Sequence, residues 1–142
     1  MLNKFPSLVK PTLKTKFHVD FDWFKAQDSN WRQSLYAFLC EDHQAIYANY
    51  QDVTIVDIVS PETGEVTQGD GMLYTLIHHC AAQPDFLSSE MPLVDSIFKV
   101  FLANQNTPLT SEELAEKTGK QAVTILQTIG GLRVYKGIRP VS

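Results

Sequence analysis

Between Lys16 and Trp23 the apolar residues Phe17, Val19, Phe21 and Trp23 alternate with polar ones, the period of a strand with one buried face. Beyond Asp28 the period lengthens. Trp31, Leu35, Phe38 and Leu39 recur at helical spacing behind the start signal Asp28-Ser29-Asn30, which predicts a helix to about Cys40 with a continuation toward Tyr50. Val53 to Val59 is again strand-like, Ser60-Pro61-Glu62-Thr63-Gly64 is a turn, and Glu65-Val66-Thr67 returns as the second arm of a hairpin. Gly69-Asp70-Gly71 then precedes Leu73, Leu76, Ile77 and Cys80, which form one helical stripe. Pro92 suits the first turn of a further helix, with Leu93, Ile97, Val100 and Phe101 on its buried face. Asn104 to Pro108 is a loop. Residues 1–15, with Pro6, Pro11 and no period, read as an extended arm.

The last third of the chain is the most informative. Thr110-Ser111-Glu112-Glu113 has the Thr-x-x-Glu spacing of a capping box, in which hydroxyl and carboxylate each satisfy an orphan amide, so a helix should begin there. It carries Leu114 and Ala115 inward and stops at Gly119, which accepts the left-handed turn that other residues resist. A second helix follows from Gln121 to about Ile129, with Val123, Ile125, Leu126 and Ile129 available for packing. A small Ala on the first helix and a Gly between the two allow a close, steep crossing.

The run Leu109-Thr110-Ser111-Glu112-Glu113-Leu114-Ala115-Glu116-Lys117-Thr118-Gly119, followed by Thr124-Ile125 and Thr128-Ile129, resembles the helix-turn-helix of bacterial winged-helix regulators. The resemblance covers about residues 92–142, with Pro92 to Asn104 as the preceding helix and Leu132 to Pro140 as the wing. It implies that the second helix lies in the major groove of duplex DNA, with Lys120, Gln121, Thr124, Gln127 and Thr128 as its polar contacts. Arg133, Lys136 and Arg139 would then place positive charge on a two-stranded wing that meets the phosphate backbone. The expected architecture is α+β: an arm (1–15), a strand-helix-hairpin-helix region (16–90) and a winged helix-turn-helix (91–142). The function it implies is DNA binding in transcription regulation.

Charge adds to that picture. Residues 1–19 carry four lysines and no acid, residues 20–108 carry thirteen acids against Lys25, Arg32 and Lys99, and beyond Gln121 every charge is positive. A basic end on an acidic body can face a polyanion, because at physiological salt the field acts over only about 8 Å. The acidic middle, and a second helix without Arg, favour a rival: a protein-interaction subunit whose winged helix docks on other proteins. Phe5, Phe17, Trp23, Phe24, Trp31 and the Tyr47 to Tyr50 region offer aromatic surface for a homodimer contact or a protein partner.

With 142 residues, 44% of them hydrophobic, the chain can bury a core without help from disulfides or metal. No apolar run approaches the roughly 20 residues that span a bilayer, and the first residues lack the apolar stretch of a secretory signal. A cytoplasmic protein with no membrane partner is expected. In such a compartment Cys40 and Cys80 are free thiols or metal ligands. Cys40 and His43 fall three residues apart, on one side of a helix, and the other cysteine belongs to His78-His79-Cys80. Cys40, His43, His79 and Cys80 thus make a tetrahedral zinc set, provided that the helix carrying His79 and Cys80 ends locally, since adjacent helical residues diverge by about 100°. Cys80 also continues the apolar stripe, which reads equally as a buried, inert thiol. No other cofactor is implied. Asp20 and Asp22 flank Phe21 on the outward side of the expected strand. There is no phosphate-cradling Gly loop, no His-Glu-x-x-His and no Gly-x-Ser-x-Gly, so no catalytic residue is assigned and no enzyme activity expected.

Overall fold

Asp20 cuts the first strand short. Strand β1 covers Lys16–Val19, burying Phe17 and Val19, and then the Asp20 carboxylate accepts a hydrogen bond from the Trp23 amide at 3.0 Å and starts helix α1, Phe21–Gln27. A capped helix satisfies end amides that a lengthened strand would leave open, so the alternation stops at Val19. Phe21 and Trp23 are therefore helical, and Asp20 and Asp22 are a cap and a first-turn residue rather than a pair on a strand face. The computed structural model describes residues 10–88 and 90–141. Most of the expected arm, with Phe5, lies outside them.

The chain divides into two compact units, residues 1–28 with 87–142 and residues 29–86. The break after Phe86 falls close to the expected boundary at residue 90, but β1 and α1, expected in the N-terminal region, belong with the C-terminal part. In that first unit, α5 (Leu93–Ala103) follows Pro92 and buries Ile97, Phe98, Val100, Phe101 and Leu102, with Leu93 only half-buried. Phe98 receives Phe24 at 5.6 Å and the edge of Phe21 at 6.2 Å between ring centroids. Strand β4 (Leu109–Thr110) leads into α6 (Ser111–Thr118) and α7 (Ala122–Ile129), and β5 (Ile138–Pro140) closes the unit. The sheet order is β4-β1-β5, antiparallel throughout, with Phe17 opposite Leu109 on one side and Val19 opposite Ile138 on the other. Just before β4 begins, the Asn106 side chain continues its edge. Its oxygen accepts from the Val19 amide at 2.9 Å and its nitrogen donates to the Val19 carbonyl at 2.8 Å, as a paired peptide would.

The second unit holds α2 (Trp31–Tyr36), α3 (Glu41–Ile46), the hairpin β2 (Ile55–Val59) and β3 (Val66–Asp70), α4 (Gly71–His78) and a 3-10 turn, Cys80–Ala82. The spacing predicts one helix to about Cys40 with a continuation toward Tyr50, and two short ones stand between residues 31 and 46. The last turn of α2 tightens into bonds from Phe38 N–H to Leu35 O and from Leu39 N–H to Tyr36 O, and Cys40 is extended (φ −66°, ψ 161°) at the head of α3. Tyr36 and Gln44 exchange side-chain to backbone hydrogen bonds across the break. The expected hairpin forms, with Val59 opposite Val66 through Ile55 opposite Asp70, and its second arm extends beyond Thr67 to Asp70. Asp70 then caps α4 by accepting from the Met72 and Leu73 amides and pairs with the Arg32 guanidinium. Leu35, Leu39, Met72, Leu76, Cys80, Ala81 and Phe86 are buried.

Two consequences bear on function. The acidic middle sorts into the second unit, where eight acids face a single base, Arg32, whereas the first unit carries eleven bases and eight acids. Of the aromatic residues expected at the surface, Phe17 and Phe24 are buried. Tyr50 stacks on Tyr36, and Tyr47 hydrogen-bonds Thr75. Among the described residues no helix is long and apolar enough to cross a membrane.

Candidate nucleic-acid interface and a cysteine-histidine cluster

The capping box forms as its spacing requires. Thr110 Oγ1 accepts from the Glu113 amide at 3.2 Å and the Glu113 carboxylate accepts from the Thr110 amide at 2.8 Å. That backbone N–H holds the Glu113 carboxyl below the usual carboxylate range. Helix α6 buries Leu114 and ends where Gly119 turns left-handed (φ 75°, ψ 8°), its N–H bonded to the Ala115 carbonyl at 3.0 Å. Helix α7 then buries Ile125 and Ile129 and leaves Gln121, Val123, Thr124 and Gln127 exposed. Thr124, Gln127 and Thr128 stand three and four residues apart, on one face of the helix. Thr128 is half-buried, and its hydroxyl donates to the Thr124 carbonyl at 2.9 Å, which leaves it less to offer a base edge than Gln121, Thr124 and Gln127. Lys120 is half-buried in the turn.

The three later bases do not alternate along a two-stranded wing. Residues 131–133 are bends, Tyr135 and Ile138 form a single bridge, and between them Lys136 (φ 50°) and Gly137 (φ 76°) make a two-residue turn. The right-handed twist of strands favours such turns, in which both central residues are left-handed. The Gly137 carbonyl accepts from the Asp20 amide at 2.8 Å, so the turn is seated on the junction of β1 and α1. Arg133 is exposed with its guanidinium 5.0 Å from the Tyr135 ring centroid, and Lys136 is at the turn itself. Arg139 is on β5, 3.3 Å from the Asp20 carboxylate and 5.7 Å from the Trp23 ring centroid. No local pattern announces this ion pair, since its partners are 119 residues apart. Nor does one mark the exposure of Leu132, which is 92% exposed just beyond α7.

In the second unit the four expected ligand residues come together. Cys40 heads α3, and its Sγ is 3.0 Å from the Nδ1 of His43 one turn on. Cys80 Sγ is 3.4 Å from Cys40 Sγ and 3.8 Å from His43 Nδ1. The His79 ring meets the His43 ring edge-on at 4.4 Å, and donor atoms of Cys40, His43 and His79 lie within 4.8 Å of one another. His79 and Cys80 leave the helical path because α4 ends at His78: His79 is the C-cap (φ −119°, ψ −61°) and Cys80 begins the 3-10 turn. His78, one position earlier, stacks on Tyr74 instead. Cys80 is also buried, as its place on the apolar stripe predicted, and that burial pushes its thiol up to about 11.

Compared with known proteins, the chain matches no family model, no curated protein and no solved structure.

Proposed function

We propose that the unit of residues 1–28 and 87–142 is a winged helix-turn-helix that binds duplex DNA through α7, in the manner of a transcription regulator. One observation carries the reading: α7 is anchored by Ile125 and Ile129 while Gln121, Thr124 and Gln127 are exposed, on the unit that holds the chain's excess of bases. A major groove about 12 Å wide admits such a helix, and there Gln can pair with adenine while Thr meets a phosphate or a thymine methyl. Arg133 and Lys136 supply backbone contacts beside the helix. Arg139 joins them by exchange, because its pair with Asp20 is 41% and 33% exposed, and a pair so solvated contributes only about 0–1 kcal/mol. A phosphate can take the carboxylate's place.

The rival docking role rests on Leu132, 92% exposed, and Val123, 54% exposed, which give the same region an apolar component. Fluorescence anisotropy with a labelled duplex separates the two. If three of Lys120, Arg133, Lys136 and Arg139 neutralise phosphates, affinity falls about 40-fold between about 50 and 200 mM salt, and Arg133→Ala lowers the slope by about 1. Partner binding that is indifferent to salt and abolished by Leu132→Asp, with no duplex affinity, supports docking instead.

A further inference from the structure

We infer that Cys40, His43, His79 and Cys80 form a closed, tetrahedral site for one zinc ion that ties the head of α3 to the end of α4. The donor chemistry selects the metal: two thiolates and two imidazoles suit zinc, whereas magnesium and calcium take oxygen ligands. The geometry agrees. With Zn–S near 2.3 Å and Zn–N near 2.0–2.1 Å, the edges of a tetrahedron are about 3.8 Å between sulfurs and about 3.6 Å from sulfur to nitrogen. The corresponding separations here are 3.4 Å between the cysteines and 3.0 and 3.8 Å from them to His43 Nδ1. These three edges differ from the ideal by about 0.2–0.6 Å, within the adjustment of a side-chain torsion, and His79 brings a donor within 4.8 Å of those of Cys40 and His43.

The backbone around the cluster is broken where the site needs it. Cys40 and His43 share one side of the start of α3, a cysteine and a histidine three residues apart. On the other element α4 stops at His78, which frees His79 and Cys80 from the divergence that a continuing helix would impose. Four protein ligands leave no coordination position for substrate, so the site is structural rather than catalytic. Its place in the fold fits that role: α3 is six residues long and buries none of them, so burial alone anchors it poorly. An ion bonded to both Cys40 and Cys80 spans a 40-residue separation.

The main competitor for the same atoms is a Cys40–Cys80 disulfide, which would need the sulfurs at about 2.05 Å and would leave both imidazoles without a role. Full-length protein purified without chelator and analysed by mass spectrometry of its metal content distinguishes the outcomes. About one zinc per chain is expected. Replacement of zinc by cobalt should give the intense visible bands of a tetrahedral ion together with thiolate-to-cobalt charge transfer. Cys80→Ser should lose the charge-transfer intensity of one sulfur. Because Cys80 is buried and its variant risks misfolding, the exposed His79 provides the second arm. His79→Ala should weaken zinc at least about tenfold, since even loss of an outer partner to a ligand costs that much, while the adjacent His78→Ala should leave it unchanged. Metal-free protein that takes up neither ion, octahedral cobalt without thiolate bands, equal effects of His78→Ala and His79→Ala, or an intact mass lighter by two hydrogen atoms from a disulfide would each overturn the assignment.

Discussion

Replacing Gly137 by alanine should destabilise the first unit far more than the same change at Gly119, although both glycines are left-handed (φ 76° and 75°). A Cβ at Gly119 meets nothing within 4 Å, so Gly119→Ala bears only the left-handed penalty, about 1 kcal/mol. A Cβ at Gly137 meets the Asp20 carbonyl oxygen at 2.8 Å and Phe24 Cβ at 2.9 Å. Neither neighbour is the free end of a flexible side chain, and Phe24 is fixed among buried rings. Forced overpacking of this kind adds about 1–3 kcal/mol, and the strained turn also weakens the Asp20 N–H bond to the Gly137 carbonyl, about 1 kcal/mol. The two variants should thus differ by about 2–4 kcal/mol, and any gain from a stiffer unfolded chain is common to both. Urea unfolding followed by Trp23 fluorescence in a Trp31→Phe background reads the difference as a shift of midpoint at constant slope. Equal losses near 1 kcal/mol would show that the Lys136-Gly137 turn is not seated on the β1–α1 junction, and the placement of the basic turn would fall with it.

Three further outcomes are expected. Thr110→Ala removes the cap of α6 and should lower stability by about 1 kcal/mol, read in the same unfolding experiment. Glu113 has a carboxyl held below its ordinary range in the folded chain, so its stabilisation is complete above the unfolded value of about 4.3 and is lost as pH falls through the lower folded value. Glu113→Gln should therefore abolish that part of the acid-side loss of midpoint, which would be measured from pH 5 downward, and an unchanged pH profile would contradict the box. Asp70→Ala removes both the cap of α4 and the partner of Arg32, whose side chains are only 12% and 11% exposed; a loss of about 3 kcal/mol is expected, followed by Trp31 fluorescence, with Asp70→Asn costing less because it keeps the cap acceptor.

The features that the sequence disclosed are those whose cause is local. Thr110 and Glu113 lie one turn apart, Gly119 stops a helix by its own backbone freedom, and Ser60 to Gly64 close a hairpin between its own neighbours, so each was readable within a few residues. The alternation from Phe17 to Trp23 misled because two local signals compete there. Asp20 is at once the polar member of a strand pattern and a helix cap, and the cap prevails once β1 is held on both sides by β4 and β5. That pairing joins residue 17 to residues 109 and 140, a separation that no period encodes, and the same long range hid the assignment of residues 16–28 to the C-terminal unit. The alternation of Arg133, Lys136 and Arg139 with apolar residues does not encode the left-handed turn at Lys136 and Gly137, which folds Tyr135 back onto Ile138 and sets the three bases at different places around it. The approach of His79 and Cys80 to Cys40 and His43 hinges on the residue at which α4 ends, and the stripe of Leu73, Leu76, Ile77 and Cys80 carries straight through that point.

The claim that α7 faces nucleic acid is tested most directly by amide chemical-shift mapping of the intact protein against a duplex of mixed sequence at low salt. The account predicts shifts concentrated at residues 120–128 and 133–137, reversed by added salt. Shifts confined to the β2–β3 hairpin or to the second unit, or none at saturating duplex, would contradict it.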